Sequence, residues 1–151
     1  MKEIDPQNKE FTEFIYTITA EVQFFNNDAI SEPYGWISIH QDNIATTLWT
    51  QHEYENEEPR LSKVTASADI VAFDTPNQLC FSGDVQEYNR NGANVLAYPT
   101  KQISGTANQI IKLPGQDQNN YVQLKYQVKL KYDYTKSPTI INLKNSDFER
   151  R

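Results

Sequence analysis

Hydrophobic and polar residues alternate strictly between positions 121 and 134. The apolar and aromatic side chains take every second place: Val122, Leu124, Tyr126, Val128, Leu130, Tyr132 and Tyr134. Lysine, glutamine and aspartate fill the places between them. A period of two puts the first set on one face of an extended strand and the second set on the other. The pattern therefore predicts a strand with one buried and one solvent-facing side.

Residues 11–25 form a second alternating segment. Its apolar face comprises Phe14, Tyr16, Ile18, Ala20, Val22 and Phe24, and threonine, glutamate and glutamine lie between them. This segment and the one at 121–134 are both long, so we expect them to lie near each other. Glu21 would then be a cross-strand partner for one of the lysines at 125, 129 and 131.

Shorter strands are predicted between turn-forming segments. The pattern assigns strands to 36–40, 64–73, 79–88, 95–98 and 102–112, with a last short edge strand at 140–143. Loops are predicted at 26–35 and at 113–120, which reads LPGQDQNN. Asn91 and Gly92 form the strongest hairpin signal, because both residues tolerate the positive φ of a type I′ turn.

The segment 41–54 fits two structures. Asp42 could cap a helix in which Ile44 and Leu48 share a face. The threonines and the tryptophan of TTLWT favour a strand instead. Because the surrounding segments are all β, we favour the strand.

Seven to nine strands without a convincing helix predict an all-β fold. We expect a single-domain antiparallel β-sandwich of jelly-roll or Ig-like type, with a closed β-barrel as the alternative. The predicted organisation is a flexible N-terminal arm at 1–10, one sandwich domain at 11–143 and a C-terminal tail at 144–151.

Composition narrows the classes of partner. The chain has 151 residues and a formal net charge of −6, which argues against non-specific nucleic-acid binding. No apolar run approaches the ~20 residues of a membrane span. The N-terminus lacks a signal-peptide pattern and Cys80 is the single cysteine, so we expect a soluble, acidic, cytoplasmic protein. Secretion by a signal-independent route is the alternative. Between Leu79 and Phe81, Cys80 itself is expected to behave as a small buried hydrophobe.

Candidate chemistry is sparse. His40 and His52 could approach each other in a hairpin and bind a metal with a nearby carboxylate, but two surface histidines beside an acidic loop is the favoured interpretation. Asp117, Asn119 and Asn120 offer oxygens for calcium, yet a solvated turn explains them better. No nucleophile elbow or phosphate-binding loop is present in the sequence. We therefore predict no catalytic, cofactor-binding or metal site, and we lean against an enzyme.

Four aromatic residues are the candidate partner-binding residues: Tyr34, Trp36, Trp49 and Tyr54. Tyrosine and tryptophan next to carboxylates and amides can anchor a protein partner or stack on a sugar. The alternative is that Trp36 begins a strand and packs inward while Tyr34 covers the end of the sandwich.

The leading hypothesis is a non-catalytic binding or assembly module. It would recognise a protein partner, a second copy of itself or a glycan through loops and sheet surface. One alternative is a calycin-like barrel that carries an apolar small molecule in a cavity lined by Tyr126, Val128 or Leu130. A second alternative is an uncharacterised hydrolase, which needs His40 or His52 beside another polar group in a cleft.

Overall fold

The computed structural model describes residues 14–26, 32–52, 63–89 and 92–133. They form nine strands: β1 (Phe14–Phe25), β2 (Pro33–Gln41), β3 (Ile44–Gln51), β4 (Lys63–Ala72), β5 (Gln78–Asn89), β6 (Gly92–Ala97), β7 (Ile103–Thr106), β8 (Ile111–Asp117) and β9 (Asn120–Asp133). None of the described residues is helical. The all-β prediction is confirmed.

The nine strands form two antiparallel sheets. One has four strands in the order β4-β1-β9-β8, and the other has five, in the order β3-β2-β5-β6 with β7 also paired to β5. The apolar inner faces of both sheets contribute to one hydrophobic core. The predicted β-sandwich is therefore confirmed. Because the described strands lie in two separate sheets, the closed-barrel alternative is wrong.

The two long alternating segments are neighbours at the centre of the four-stranded sheet. β1 pairs with β9 in a register that sets Ala20 opposite Tyr126 and Glu21 opposite Lys125. Glu21 forms its ion pair with Lys63 of β4, at 3.6 Å, rather than with a lysine of β9. The expected pairing of the two strands is confirmed, but the expected charge partner is not the one found.

The apolar face of β9 fills the core between the sheets. Tyr126 is fully buried, and its ring centroid lies 5.3 Å from that of Phe81 on the opposite sheet. The Tyr126 hydroxyl donates a hydrogen bond to the carbonyl oxygen of Gly105 at 3.0 Å. A side chain that would line a carrier's cavity is thus packed as core, which removes the main support for a small-molecule carrier.

Residues 102–120 are arranged differently from the prediction. The expected single strand at 102–112 consists of β7, a turn in which Asn108 has a φ of 69°, and the beginning of β8. The predicted loop at 113–120 is wrong, because β8 continues to Asp117. Leu113 is buried, which anchors this segment to the core. Pro114 is tolerated there because β8 is an edge strand.

Two hairpins settle the remaining segments. Residues 41–54 contain a strand, β3, as favoured from the sequence. It follows a tight turn in which Asp42 and Asn43 have φ values of 50° and 68°. β5 and β6 also pair, with Asn89 opposite Gly92, so the predicted turn residue Gly92 is the first residue of β6.

Several predictions lie outside the described residues: the arm at 1–10, the edge strand at 140–143 and the tail at 144–151. Within the described part of the chain, no helix has the length and apolar character to cross a membrane.

Candidate partner-binding face

Tyr34 and Trp36 lie together on the outer face of the five-stranded sheet. Ile37 and Ile39 of the same strand, β2, are fully buried in the core. Since side chains alternate along a strand, the outward set comprises Tyr34, Trp36, Ser38 and His40. Their partners on β5 in the ladder are Gln86, Asp84, Ser82 and Cys80. These eight residues are called the aromatic face below.

The end of the aromatic face around Tyr34 and Trp36 combines two aromatic rings with polar groups. Tyr34 donates a hydrogen bond from its hydroxyl to Oε1 of Gln86, at 3.1 Å. Trp36 pairs with Asp84 on one side and with Thr50 of β3 on the other. The indole is half-buried, so part of it is open to a partner. This arrangement offers apolar ring surface beside hydrogen-bonding groups.

Two nearly buried serines occupy the middle of the aromatic face. Ser38 and Ser82 pair with each other across β2 and β5 and are 7% and 1% exposed. The larger Trp36 and His40 stand on either side of this serine pair along β2. The serine pair is thus covered by its neighbours and offers little surface to a partner.

Gly35 holds β2 unusually close to β5 at this point. Its φ of 128° lies in the region that favours glycine. A Cβ at this position would overlap the carbonyl oxygen of Asp84. The position of Tyr34 and Trp36 on either side thus depends on a residue without a side chain.

Trp49 does not join this face. The β2–β3 register shifts between Ile37 and Ser38, where Leu48 is the extra residue. Trp49 pairs with Ile37, packs against the core and has its ring centroid 5.0 Å from that of Phe24. Tyr54 lies outside the described residues. Of the four predicted residues, the structure brings together Tyr34 and Trp36.

Cys80 is placed differently from the prediction. It is half-buried on the aromatic face, whereas its neighbours Leu79 and Phe81 are in the core. It pairs directly with His40, and its thiol lies 3.5 Å from Oε1 of Gln102. The expectation of a buried thiol is therefore wrong, because the strand alternates and Cys80 takes the outward position.

His40 forms the one contact in this region that resembles catalytic geometry. Its Nε2 lies 2.6 Å from Oγ of Ser82. Ser82 is only 1% exposed, and the described residues show no carboxylate hydrogen-bonded to His40. A nucleophile must reach its substrate, and its base is usually oriented by a third group. This pair is better explained as a buried polar contact that fixes the side chain of His40.

Neither of the two candidate metal sites is assembled in the described residues, because the histidines lie far apart and Asp117 is engaged in hydrogen bonds. The β2–β3 hairpin forms, but His40 lies near its turn and His52 beyond its open end, about 20 Å away at strand spacing. Oδ1 of Asp117 accepts hydrogen bonds from the Asn119 backbone at 2.8 Å and from the Asn120 side chain at 2.7 Å. Those bonds hold a tight turn. Among the described residues, no group of three or more His, Cys, Asp or Glu could hold a metal ion.

Sequence reasoning did not select the β5 half of the aromatic face. Leu79, Phe81 and Val85 are apolar at alternate positions, which would have placed Cys80, Ser82 and Asp84 outward. Gly83 interrupts this alternation and hides the signal.

A solved structure shares this fold. The match is a chain in the crystal structure of the Cry23Aa1 and Cry37Aa1 binary protein complex, with 29% sequence identity and a TM-score of 0.70. The match covers 76% of this chain and 98% of that chain. No protein-family model and no curated protein matches this chain. Nearly the whole of the similar chain thus aligns with this chain, and the similar chain comes from a complex of two proteins.

Proposed function

We propose that this chain is a non-catalytic recognition module that binds a second protein as one component of a two-protein assembly. The observation that carries the proposal is the solved structure with the same fold, which is a binary protein complex. The match extends over nearly all of that chain, so the sandwich is what this chain and that chain have in common.

The aromatic face is the proposed contact surface. Tryptophan and tyrosine are enriched among the residues that dominate binding energy at protein interfaces. Tyr34 and Trp36 present such rings from a rigid strand, so little conformational entropy is lost when a partner covers them. Asp84 and Gln86 supply polar groups at the edge of the rings, as in the polar rim of many interfaces.

Trp49 has a structural role in this proposal. Trp49 supports the β3 edge from within, through its contact with Phe24. Tyr54 remains a proposed partner contact on sequence grounds alone.

The test begins with the immobilised chain and an extract of its native host. A retained protein is then purified and its affinity measured by calorimetry. Truncating a residue that dominates binding costs about 2 kcal/mol or more, roughly a thirtyfold loss of affinity. We expect that loss for Trp36→Ala.

Phe73→Ala is the matched control, because Phe73 is an exposed aromatic that directly follows β4 in the opposite sheet. It should leave the affinity unchanged. The proposal is wrong if no protein is retained, or if Trp36→Ala and Tyr34→Ala both bind as tightly as the control.

A further inference from the structure

β4 is an open edge of the four-stranded sheet. Among the described strands, it is hydrogen-bonded to β1 alone. The pairing with β1 covers all ten residues of β4 without a register shift, so the strand is regular from Lys63 to Ala72. Its opposite side therefore presents backbone N–H and C=O groups that no described strand pairs with.

The other edge strands carry features that hinder further pairing, and β4 does not. β3, β6 and β8 each have a register shift against their neighbour, β8 also contains Pro114, and β7 has only four residues. Bulges, proline, short length and inward charges are the means by which edge strands avoid pairing with another chain. In β4 the inward residues are uncharged, and its two charged residues, Lys63 and Asp69, point outward. β4 is thus the described edge best suited to accept another strand.

The hydrophobic core is also less well covered at this edge. Three inward residues of β4 pack against the core but are only half-buried: Val64, Ala66 and Ala68. The residues opposite them on β1 are completely buried: Val22, Ala20 and Ile18. A strand added to β4 would therefore cover apolar surface as well as backbone groups.

β4 is complementary to itself in one antiparallel register, the one that sets Ala66 opposite Ala66 of a second copy. Lys63 of each copy then lies opposite Asp69 of the other, which gives two cross-strand pairs of opposite charge. A shift by two residues, the smallest that keeps the inward side chains on one side, sets Lys63 opposite Ser67 or Val71 instead. Charge therefore selects a single register, and that register has two-fold symmetry.

The uncharged residues agree with the same register. Thr65 lies opposite Ser67 on the outer side, and Val64 lies opposite Ala68 on the inner side. Hydroxyl groups thus meet hydroxyl groups, and apolar side chains meet apolar side chains. The residues from 63 to 69 of each copy pair directly, which corresponds to about six to eight backbone hydrogen bonds.

Each of the two charged contacts would extend ion pairs already present in the sheet. Asp69 is paired with Lys131, and Lys63 is paired with Glu21 at 3.6 Å. Across the interface these pairs join into a row of four alternating charges, with Lys131 and Asp69 of one copy followed by Lys63 and Glu21 of the other. Networks of exposed charges contribute more than isolated pairs do.

We infer that two copies of the chain associate through β4, which joins their four-stranded sheets into one sheet of eight strands. The occupant of the edge is a second copy, because the sequence of β4 itself supplies the complementary charges. The contact lies at the edge of the sheet opposite the aromatic face, so the inference does not depend on the proposed function.

Analytical ultracentrifugation of the full chain tests the association, and we expect a dimer. Lys63→Glu and Asp69→Lys should each weaken dimerisation by about tenfold or more, because like charges then face each other at both contacts. An equimolar mixture of the two variants should recover dimerisation, because one contact is then native and the other joins the same charges in reverse. A chain that is monomeric at every concentration, or a mixture that does not recover, would overturn the inference.

Lys129→Glu is the matched control for net charge. Lys129 is exposed on the outer face of the same sheet, on β9, which β1 separates from β4. This variant should dimerise like the unaltered chain. Weakening equal to that of Lys63→Glu would assign the effect to net charge and contradict the edge contact. Recovery on mixing also shows that both edge variants are folded.

Disulfide crosslinking tests the register. Position 66 lies opposite itself across the two-fold axis, with Cα atoms about 4.5–5.5 Å apart, which is within the range of a disulfide. Position 68 lies about 13 Å or more from its counterpart, which is out of range. In a Cys80→Ser background, Ala66→Cys should therefore form a covalent dimer on mild oxidation, and Ala68→Cys should not. No crosslink at position 66, or an equal one at position 68, would overturn the proposed contact.

Discussion

Replacing Tyr126 by phenylalanine isolates one polar contact at the centre of the sandwich. The ring stays, so the packing against Phe81 is kept. The hydroxyl is lost, together with its hydrogen bond to the Gly105 carbonyl at 3.0 Å and a longer one to the Asn77 carbonyl at 3.4 Å. The Gly105 oxygen is then left without this donor.

The expected cost follows from that loss. A typical hydrogen bond contributes about 1 kcal/mol net, and an unsatisfied buried acceptor raises the cost, so we expect about 1–2 kcal/mol. For a chain of this size, that corresponds to a fall in Tm of roughly 3–6 °C. By contrast, Tyr126→Ala also creates a cavity beside Phe81 and should cost about 3–5 kcal/mol.

Urea unfolding followed by tryptophan fluorescence measures both effects, with Trp36 and Trp49 as reporters. The midpoint should fall while the slope with urea stays the same, because the surface exposed on unfolding hardly changes. Tyr98→Phe, at an exposed tyrosine, is the control and should leave the midpoint unchanged. A Tyr126→Phe variant as stable as the unaltered chain would refute the hydrogen bond described for this tyrosine.

Tyr126→Phe should also change how the stability of the chain depends on pH in alkaline solution. Burial raises the pKa of Tyr126 above the ordinary value of 10.0. A raised pKa in the folded state means that its contribution is complete below pH 10 and is lost as the pH rises further. Stability of the unaltered chain should therefore decline more steeply above pH 10 than that of Tyr126→Phe.

Two further predictions concern the sheet surfaces. Gly35→Ala would place a Cβ against the Asp84 carbonyl oxygen, at a φ of 128°. Thermal unfolding should therefore show that the free energy of unfolding falls by about 3 kcal/mol or more, and a fall under about 1 kcal/mol would contradict the close approach of β2 to β5. Two hydrogen bonds lower the pKa of Asp69 below its ordinary value of 3.8, and the one from Lys131 has a larger effect than the one from Thr17. Its contribution is present above pH 3.8 and lost as the pH falls through the lowered value. Asp69→Asn should therefore be less stable than the unaltered chain at pH 6, with the gap closing towards pH 2. A constant gap across an acid titration would speak against this pair.

Alternation explains how much of the fold could be predicted from the sequence. From Tyr16 to Phe24 of β1 and from Val122 to Val128 of β9, each inward residue is apolar and each outward residue is polar, so strand and burial follow together. In β8, Leu113-Pro114-Gly115 carries turn-forming residues within a strand. It is a strand because Leu113 reaches the core and because an edge strand tolerates proline. That information lies in the tertiary structure, not in the local sequence.

The candidate surface shows the same limit. Tyr34 and Trp36 share a face because they are two positions apart, and the spacing alone predicts this. Trp49 turns inward because the extra residue Leu48 shifts the register of β3. A bulge of this kind leaves no clear mark in a short threonine-rich strand. The prediction for Cys80 is wrong for a related reason, since Gly83 interrupts the apolar alternation of β5 that would have placed Cys80 outward.

Hydrogen exchange of the chain with and without its retained partner tests the central claim, that the aromatic face binds a second protein. With the partner bound, we expect slower exchange of the backbone amides in β2 and β5 around Trp36 and Asp84. The amides of β1 and β9 should exchange at unchanged rates. Protection confined to β1 and β9, with β2 and β5 unaffected, would contradict the account.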